Sequence, residues 1–144
     1  MKKAIVTGAS SGLGYQIAKK LLDSGVKVVN LSKSKCDLPE IVNVKIDLSK
    51  HNSLMKTISA LKRKHKDLDL LVCCAGLMHR EYIGKITPKL IDHDFSVNVT
   101  SKIKLTNAFM PILKKNKGDI VMIGSTCSFL AHLETSVYNA TKFA

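Results

Sequence analysis

From Thr7 to Gly14 the chain reads Thr-Gly-Ala-Ser-Ser-Gly-Leu-Gly, between the apolar run Lys3–Thr7 and a segment where Leu13, Ile17, Ala18, Leu21 and Leu22 recur at helical spacing. Each glycine has a physical task in such a turn. Gly8 allows the sharp exit from a strand, Gly12 lets backbone come close to a pyrophosphate, and Gly14 lets the helix pack tightly. A helix N-terminus at this point offers free N–H groups and the positive end of its dipole to an anion. Ser10 and Ser11 add hydroxyl donors. A glycine-rich turn alone is a weak signal, but a strand before it and a helix after it supply the context that makes it specific. The segment predicts a dinucleotide-binding unit, with the phosphates of a nicotinamide cofactor held at residues 7–14.

The rest of the chain repeats the strand–helix alternation. Val26–Leu31, Ile41–Ile46, Leu68–Cys73 and Asp119–Ile123 are strand-like, and Leu54, Ile58 and Leu61 mark one face of a helix between them. Thr87-Pro88 reads as an N-cap followed by proline at the first helical position. A long helix is expected over about Val97–Lys115, bent at Pro111. Tyr138–Ala144 has the composition of a further helix. This pattern predicts an α/β fold, a Rossmann-like doubly wound parallel sheet of about five strands in the order 3-2-1-4-5, forming one domain over residues 1–144.

Composition narrows the function classes. The net charge is +12, from 23 Lys and Arg against 11 Asp and Glu. The cations are scattered except for Lys62–Lys66, which falls where a helix should end and where positive charge complements the dipole. No helix-turn-helix, zinc-finger or RNA-binding signature accompanies the charge, so nucleic acid is not an expected partner. No apolar run is long enough for a membrane span, and the apolar stretch after Lys2 and Lys3 is too short for a signal-peptide core. A cytoplasmic protein is expected, with Cys36, Cys73, Cys74 and Cys127 as reduced thiols.

The end of the second strand addresses cofactor choice. NAD-selective folds place a carboxylate there against the ribose 2′-hydroxyl, whereas a 2′-phosphate requires a cation. This chain has Ser32-Lys33-Ser34-Lys35, with no acid before Asp37. Lys33 can pair with the 2′-phosphate and Ser32 can donate a hydrogen bond to it. NADP(H) is therefore expected over NAD(H), which remains possible.

A second constellation lies toward the end. Tyr138 and Lys142, four apart, share one face of a helix. Ser125 follows the fifth strand, at the carboxyl edge of the sheet where ligands bind in this architecture. Asn98 opens the expected long helix. These residues suit carbonyl reduction. Tyr138 can supply the proton, a Lys142 ammonium favours the phenolate and eases its release, and Ser125 can hold the substrate oxygen. Asn98 could anchor a relaying water.

With these motifs in place, the chain resembles the short-chain dehydrogenase/reductase family over essentially its whole length. Thr7–Gly14 is similar to the family's T-G-x-x-x-G-x-G turn, Tyr138–Lys142 to Y-x-x-x-K, Ile123-Gly124-Ser125 to its serine segment and Val97-Asn98-Val99 to its asparagine segment. The resemblance implies a tetrad of Asn98, Ser125, Tyr138 and Lys142, with Lys142 also holding the nicotinamide ribose. It implies adenine contacts from Asp47-Leu48, and cofactor contacts from Cys74, Ala75 and Gly76 beside those of Gly8, Ser10, Ser11, Gly12, Leu13, Gly14, Ser32 and Lys33. It also implies a small carbonyl or alcohol substrate.

Two departures are visible. Where the family usually carries N-N-A-G, this chain has Cys73-Cys74-Ala75-Gly76, and a thiol is a poor substitute for an amide donor. Family members also continue past the Tyr–Lys helix into two further strands and a substrate-covering loop, which this sequence lacks. On that reading the fifth strand becomes an edge and a helix face including Ala108, Phe109 and Ile112 loses its cover, which predicts a homo-oligomer. Two functions stay open: an NAD(P)-dependent oxidoreductase, or a truncated nucleotide-binding module without turnover.

Overall fold

The computed structural model describes residues 2–144. Five parallel strands, β1 (Lys3–Thr7), β2 (Lys27–Ser32), β3 (Val42–Lys45), β4 (Leu70–Cys73) and β5 (Asp119–Met122), form one sheet in the order β3-β2-β1-β4-β5. This is the expected order. The central strands β1 and β4 read as apolar runs because helices cover both faces of the sheet there. On one face the row Val29, Ile5, Leu71, Ile120 runs across the register. Leu54, Ile58 and Leu61 of α2 (His51–Lys64) cover it, together with Leu105, Phe109 and Leu113 of α4 (Ser101–Asn116). On the other face Val6, Val28 and Val72 pack under Ala18, Ile17 and Leu21 of α1 (Gly12–Asp23). Lys62, Arg63 and Lys64 occupy the last turn of α2, as the dipole argument requires.

The stretch after Thr87 differs from expectation. Thr87 caps α3 (Pro88–Phe95), its hydroxyl accepting the Leu90 N–H at 3.3 Å. Helical backbone then continues without a break, through a π-helical turn at Ser96–Thr100 and into α4. Ser96, Thr100 and Ser101 all keep right-handed helical dihedrals, so nothing separates the segments. Asn98 therefore sits inside a π turn and does not open a helix. Pro111 lies within α4, yet the departure from regular α geometry falls thirteen residues earlier, around Asn98.

The expected uncovered face of α4 is also corrected. Phe109 is fully buried, and Ala108 and Ile112 pack against the same core. The helix turns these residues to the sheet and leaves Ile103 and Met110 outward. The edge position of β5 is as expected, with Val121 and Met122 exposed there. Among the described residues no helix is long and apolar enough to cross a membrane. The final helix, α5 (Ser136–Phe143), packs against α3 and the π turn.

Candidate cofactor and catalytic site

The turn after β1 is built by backbone and amide contacts. Gly8 has φ +73°, and a Cβ there would stand 2.9 Å from the Ala75 Cα. Its N–H donates to the Leu31 carbonyl at 2.9 Å, and the next N–H, of Ala9, donates to Oδ1 of Asn30 at 3.0 Å. Asn30 is held in turn by donating to Asn43 Oδ1 at 2.9 Å. At Gly14 a Cβ would lie 2.3 Å from the Gly8 carbonyl oxygen, so glycine is required there by the turn folding onto the helix rather than by helix against sheet. Ser11 is the N-cap of α1 with extended backbone, and its exposed hydroxyl makes no capping bond. No acidic residue lies in the first turn of α1. The helix end thus keeps free donors and an unopposed positive dipole.

This turn forms one wall of a cleft of about 540 Å³. Ser10, Ser11, Gly12, Leu13 and Gly14 line it with Gly8. Ser32, Lys33 and Leu48 line it from the β2 and β3 ends, Cys74, Ala75 and Gly76 from the β4 end, and Tyr138 and Lys142 from α5. The size and donors suit a dinucleotide: a glycine turn bare of side chains, a helix N-terminus for the pyrophosphate and apolar Ile46 and Leu48 beyond it. Ile46, Leu77, Met78, Val97, Ile123 and Gly124 also line the cleft. They were not singled out from sequence, where an apolar residue at a strand end reads as core.

Three expected residues, Asp47, Asn98 and Ser125, are not among those that line the cleft. The Asp47 carboxylate is engaged beside it. Oδ1 accepts the Ser49 N–H at 2.9 Å and hydroxyl at 2.6 Å, and Oδ2 pairs with Lys33 at 3.3 Å. Burial raises its pKa, but the Ser49 and Lys33 contacts outweigh that and hold the carboxyl below its ordinary value. Asn98 is 3% exposed, and its amide is spoken for. Oδ1 accepts the Leu77 N–H at 3.0 Å, while Nδ2 donates to the Leu77 carbonyl at 2.9 Å and to Thr141 Oγ1 at 3.0 Å. With both N–H donors used, the side chain holds the cleft wall together. Ser125 caps a 3₁₀ turn (Thr126–Ser128), accepting the Cys127 N–H at 3.1 Å. Its own proton remains free to donate.

Ser32 is corrected as well. It is 7% exposed, and its hydroxyl donates to the Ser34 carbonyl at 2.6 Å. A nearly buried hydroxyl must place its proton locally, so the donor expected for a 2′-phosphate is already committed.

Tyr138 and Lys142 do come together. The Lys142 ammonium lies 5.6 Å from the centre of the Tyr138 ring and donates to the Ile123 carbonyl at 3.0 Å. Thr141 fixes the turn between them by donating to the Tyr138 carbonyl at 2.7 Å.

One neighbour went unseen in the sequence. Lys102 is 8% exposed, on the same helical face as Asn98, and its amine makes no ion pair among the described residues. Burial pushes its pKa down, and the nearby Lys142 charge adds to that. Cys73 and Cys74 lie against it, and burial pushes both thiols up despite the Lys102 charge. They are protonated thiols at neutral pH.

The parallel sheet thus carries a glycine turn at its first crossover and a Tyr–Lys pair across the same cleft. The short chain dehydrogenase family profile matches residues 2–144, and the chain belongs to that family. It is 34% identical over 149 residues to a short-chain type dehydrogenase/reductase of Sinorhizobium fredii, covering 98% of this chain and 58% of the relative. It is 30% identical to an oxidoreductase of Staphylococcus saprophyticus, covering 99% of this chain and 67% of the relative. A metagenomic short-chain oxidoreductase solved in complex with NADP superposes with TM-score 0.91 at 27% identity, covering 99% of this chain and 69% of that one. The chain thus spans roughly three fifths to two thirds of the length of the curated relatives it matches.

Proposed function

We propose that this protein is an NADP(H)-preferring oxidoreductase that interconverts carbonyl compounds and alcohols, with Tyr138 as the proton donor. The observation that carries the reading is the single cleft shared by the Thr7–Gly14 turn, Tyr138 and Lys142. The nicotinamide, when bound, supplies the hydride. Tyr138 gives its phenolic proton to the carbonyl oxygen, and the neighbouring Lys142 ammonium stabilises the charge left on the ring oxygen. Lys142, which here donates to the Ile123 carbonyl, would hold the nicotinamide ribose. Ser125, next to the cleft-lining Gly124, has a remaining hydroxyl proton that would serve the substrate oxygen.

The preference for NADP(H) rests on Lys33. Its ion pair with Asp47 is solvent-facing, and exposed pairs are worth about 0–1 kcal/mol. A doubly charged phosphate competes well against such a contact. No carboxylate of β2 or of the loop directly after it lines the cleft to favour a ribose hydroxyl instead. The metagenomic relative solved with NADP supports a nicotinamide cofactor of this kind.

A second reading, a nucleotide-binding module without turnover, is favoured by the positions of Asn98 and Ser125 outside the cleft lining. NADPH oxidation against a panel of ketones and aldehydes separates the two. The enzyme reading predicts turnover that falls by at least about 10²-fold in Tyr138→Phe, the scale of a lost general acid. Undiminished turnover in that variant contradicts the role given to Tyr138. NADPH binding with no turnover on any carbonyl contradicts the enzyme reading and supports the module.

A further inference from the structure

We propose that His79, His93 and Asp94 form a binding site for a divalent cation of the zinc class, on the wall of the loop that follows β4. The proposal rests on the geometry of this segment and is independent of the oxidoreductase reading.

Asp94 is the anchor. It is fully buried near the C-terminal end of α3, in a chain of net charge +12, yet neither lysine nor arginine pairs with it among the described residues. A buried carboxylate is costly unless charge or hydrogen bonds compensate it. Its compensation is lopsided. Both imidazoles converge on Oδ1, with His79 Nδ1 at 2.6 Å and His93 Nδ1 at 3.6 Å. The other oxygen, Oδ2, is buried with no hydrogen-bond partner. Without metal the 2.6 Å contact is His79 Nδ1–H donating to the carboxylate, and a metal would displace that proton. One ligand atom from each imidazole and one carboxylate oxygen thus lie within 4.8 Å of one another.

The spacing suits a small ion. Nitrogen and oxygen ligands sit about 2.0–2.2 Å from zinc, so two of them on a tetrahedron are about 3.3 Å apart. The separations from Oδ1, 2.6 and 3.6 Å, straddle that value, and rotation of the two partly exposed rings would bring the set to it. The rings are tilted at 57° with centres 5.8 Å apart, so neither blocks the other. Two imidazoles with one carboxylate favour zinc and its transition-metal neighbours over magnesium or calcium, which take oxygen ligands. The set leaves at least one coordination position for water. The His79 side chain is 48% exposed and that of His93 33%, which gives the ion a path from solvent.

The ion would act on the cleft. His79 follows Met78, which lines the cofactor cleft, and lies two residues from Leu77, which Asn98 clamps. His93 and Asp94 immediately precede the π turn that carries Asn98. Bound metal would tie these two segments together a second time and fix the wall at Met78.

Isothermal titration of the full, EDTA-treated chain with zinc chloride tests this, read alongside zinc-edge X-ray absorption. The expected result is one zinc per chain with nitrogen and oxygen ligands only, and at least about tenfold weaker binding in His79→Ala and in His93→Ala. His93→Ala leaves the 2.6 Å His79–Asp94 hydrogen bond in place and keeps the fold, so it carries the test where His79→Ala, which strips the buried Asp94 of that partner, unfolds. Absence of stoichiometric binding, sulfur in the coordination shell, or unchanged affinity in both histidine variants would overturn the proposal.

Discussion

Asn98 and Leu77 are bonded to each other in both directions: the Leu77 N–H donates to Asn98 Oδ1 at 3.0 Å, and Asn98 Nδ2 donates to the Leu77 carbonyl at 2.9 Å. A side chain on a π turn thereby supplies what a neighbouring strand would otherwise give to the loop after β4. The third contact, from Nδ2 to Thr141 Oγ1, extends the clamp to the helix carrying Tyr138 and Lys142. One buried amide positions both sides of the cleft.

Asn98→Ala should therefore be strongly destabilising. It strands the partly buried polar groups of Leu77, at up to about 1–3 kcal/mol for each group left unsatisfied. Thermal unfolding should show a loss of several degrees. A melting temperature equal to the parent's would mean that the clamp is not structural.

Lys102 predicts the opposite sign. Its ammonium is nearly buried beside Lys142 and without a carboxylate, so its charge opposes folding. Lys102→Met keeps the length of the side chain and removes the charge. The variant should unfold at the same temperature as the parent or higher. A clear drop would show that the amine has a stabilising partner.

His65 sets an acid limit to stability. It closes α2, is 5% exposed, and its Nδ1 has no hydrogen-bond partner. Burial pushes its pKa below the ordinary 6.5, and the charges of Lys3 and Lys64 add to the shift. Between 6.5 and the lower folded value the unfolded chain binds a proton that the folded chain refuses. Stability must then fall as pH falls through that window. Denaturant midpoints measured from pH 7.5 downward should show this decline, and His65→Gln should flatten it. An equal decline in the variant would assign the effect to other groups.

Much of this was legible from local patterns. The Thr7–Gly14 turn and the five strands follow from glycine placement and alternating periodicity, which act over a few residues, whereas the strand order came with the resemblance to a known fold. The Tyr138–Lys142 pairing follows from helical spacing. What was not legible depends on partners distant in sequence. Ser32 and Asp47 carry the right chemistry for a ribose or adenine contact, but Ser34 and Ser49 capture them through turns two residues long. Phe109 reads as exposed only when its helix is rotated wrongly, and the pairing of α4 with α2 settles that rotation. Lys102 resembles any lysine on an amphipathic helix until β4 is placed beneath it. His79 meets Asp94 across fifteen residues of chain, a contact that no local pattern announces.

The most direct test is a fluorescence titration of the chain with NADPH and with NADH. NADPH should bind about tenfold tighter, a difference of about 1.4 kcal/mol. Lys33→Ala should remove that difference while leaving NADH unaffected, and Gly8→Val should abolish both by forcing a side chain into Ala75. Equal affinities in the parent would contradict the cofactor preference. Failure to bind either nucleotide would contradict the assignment of the cleft itself.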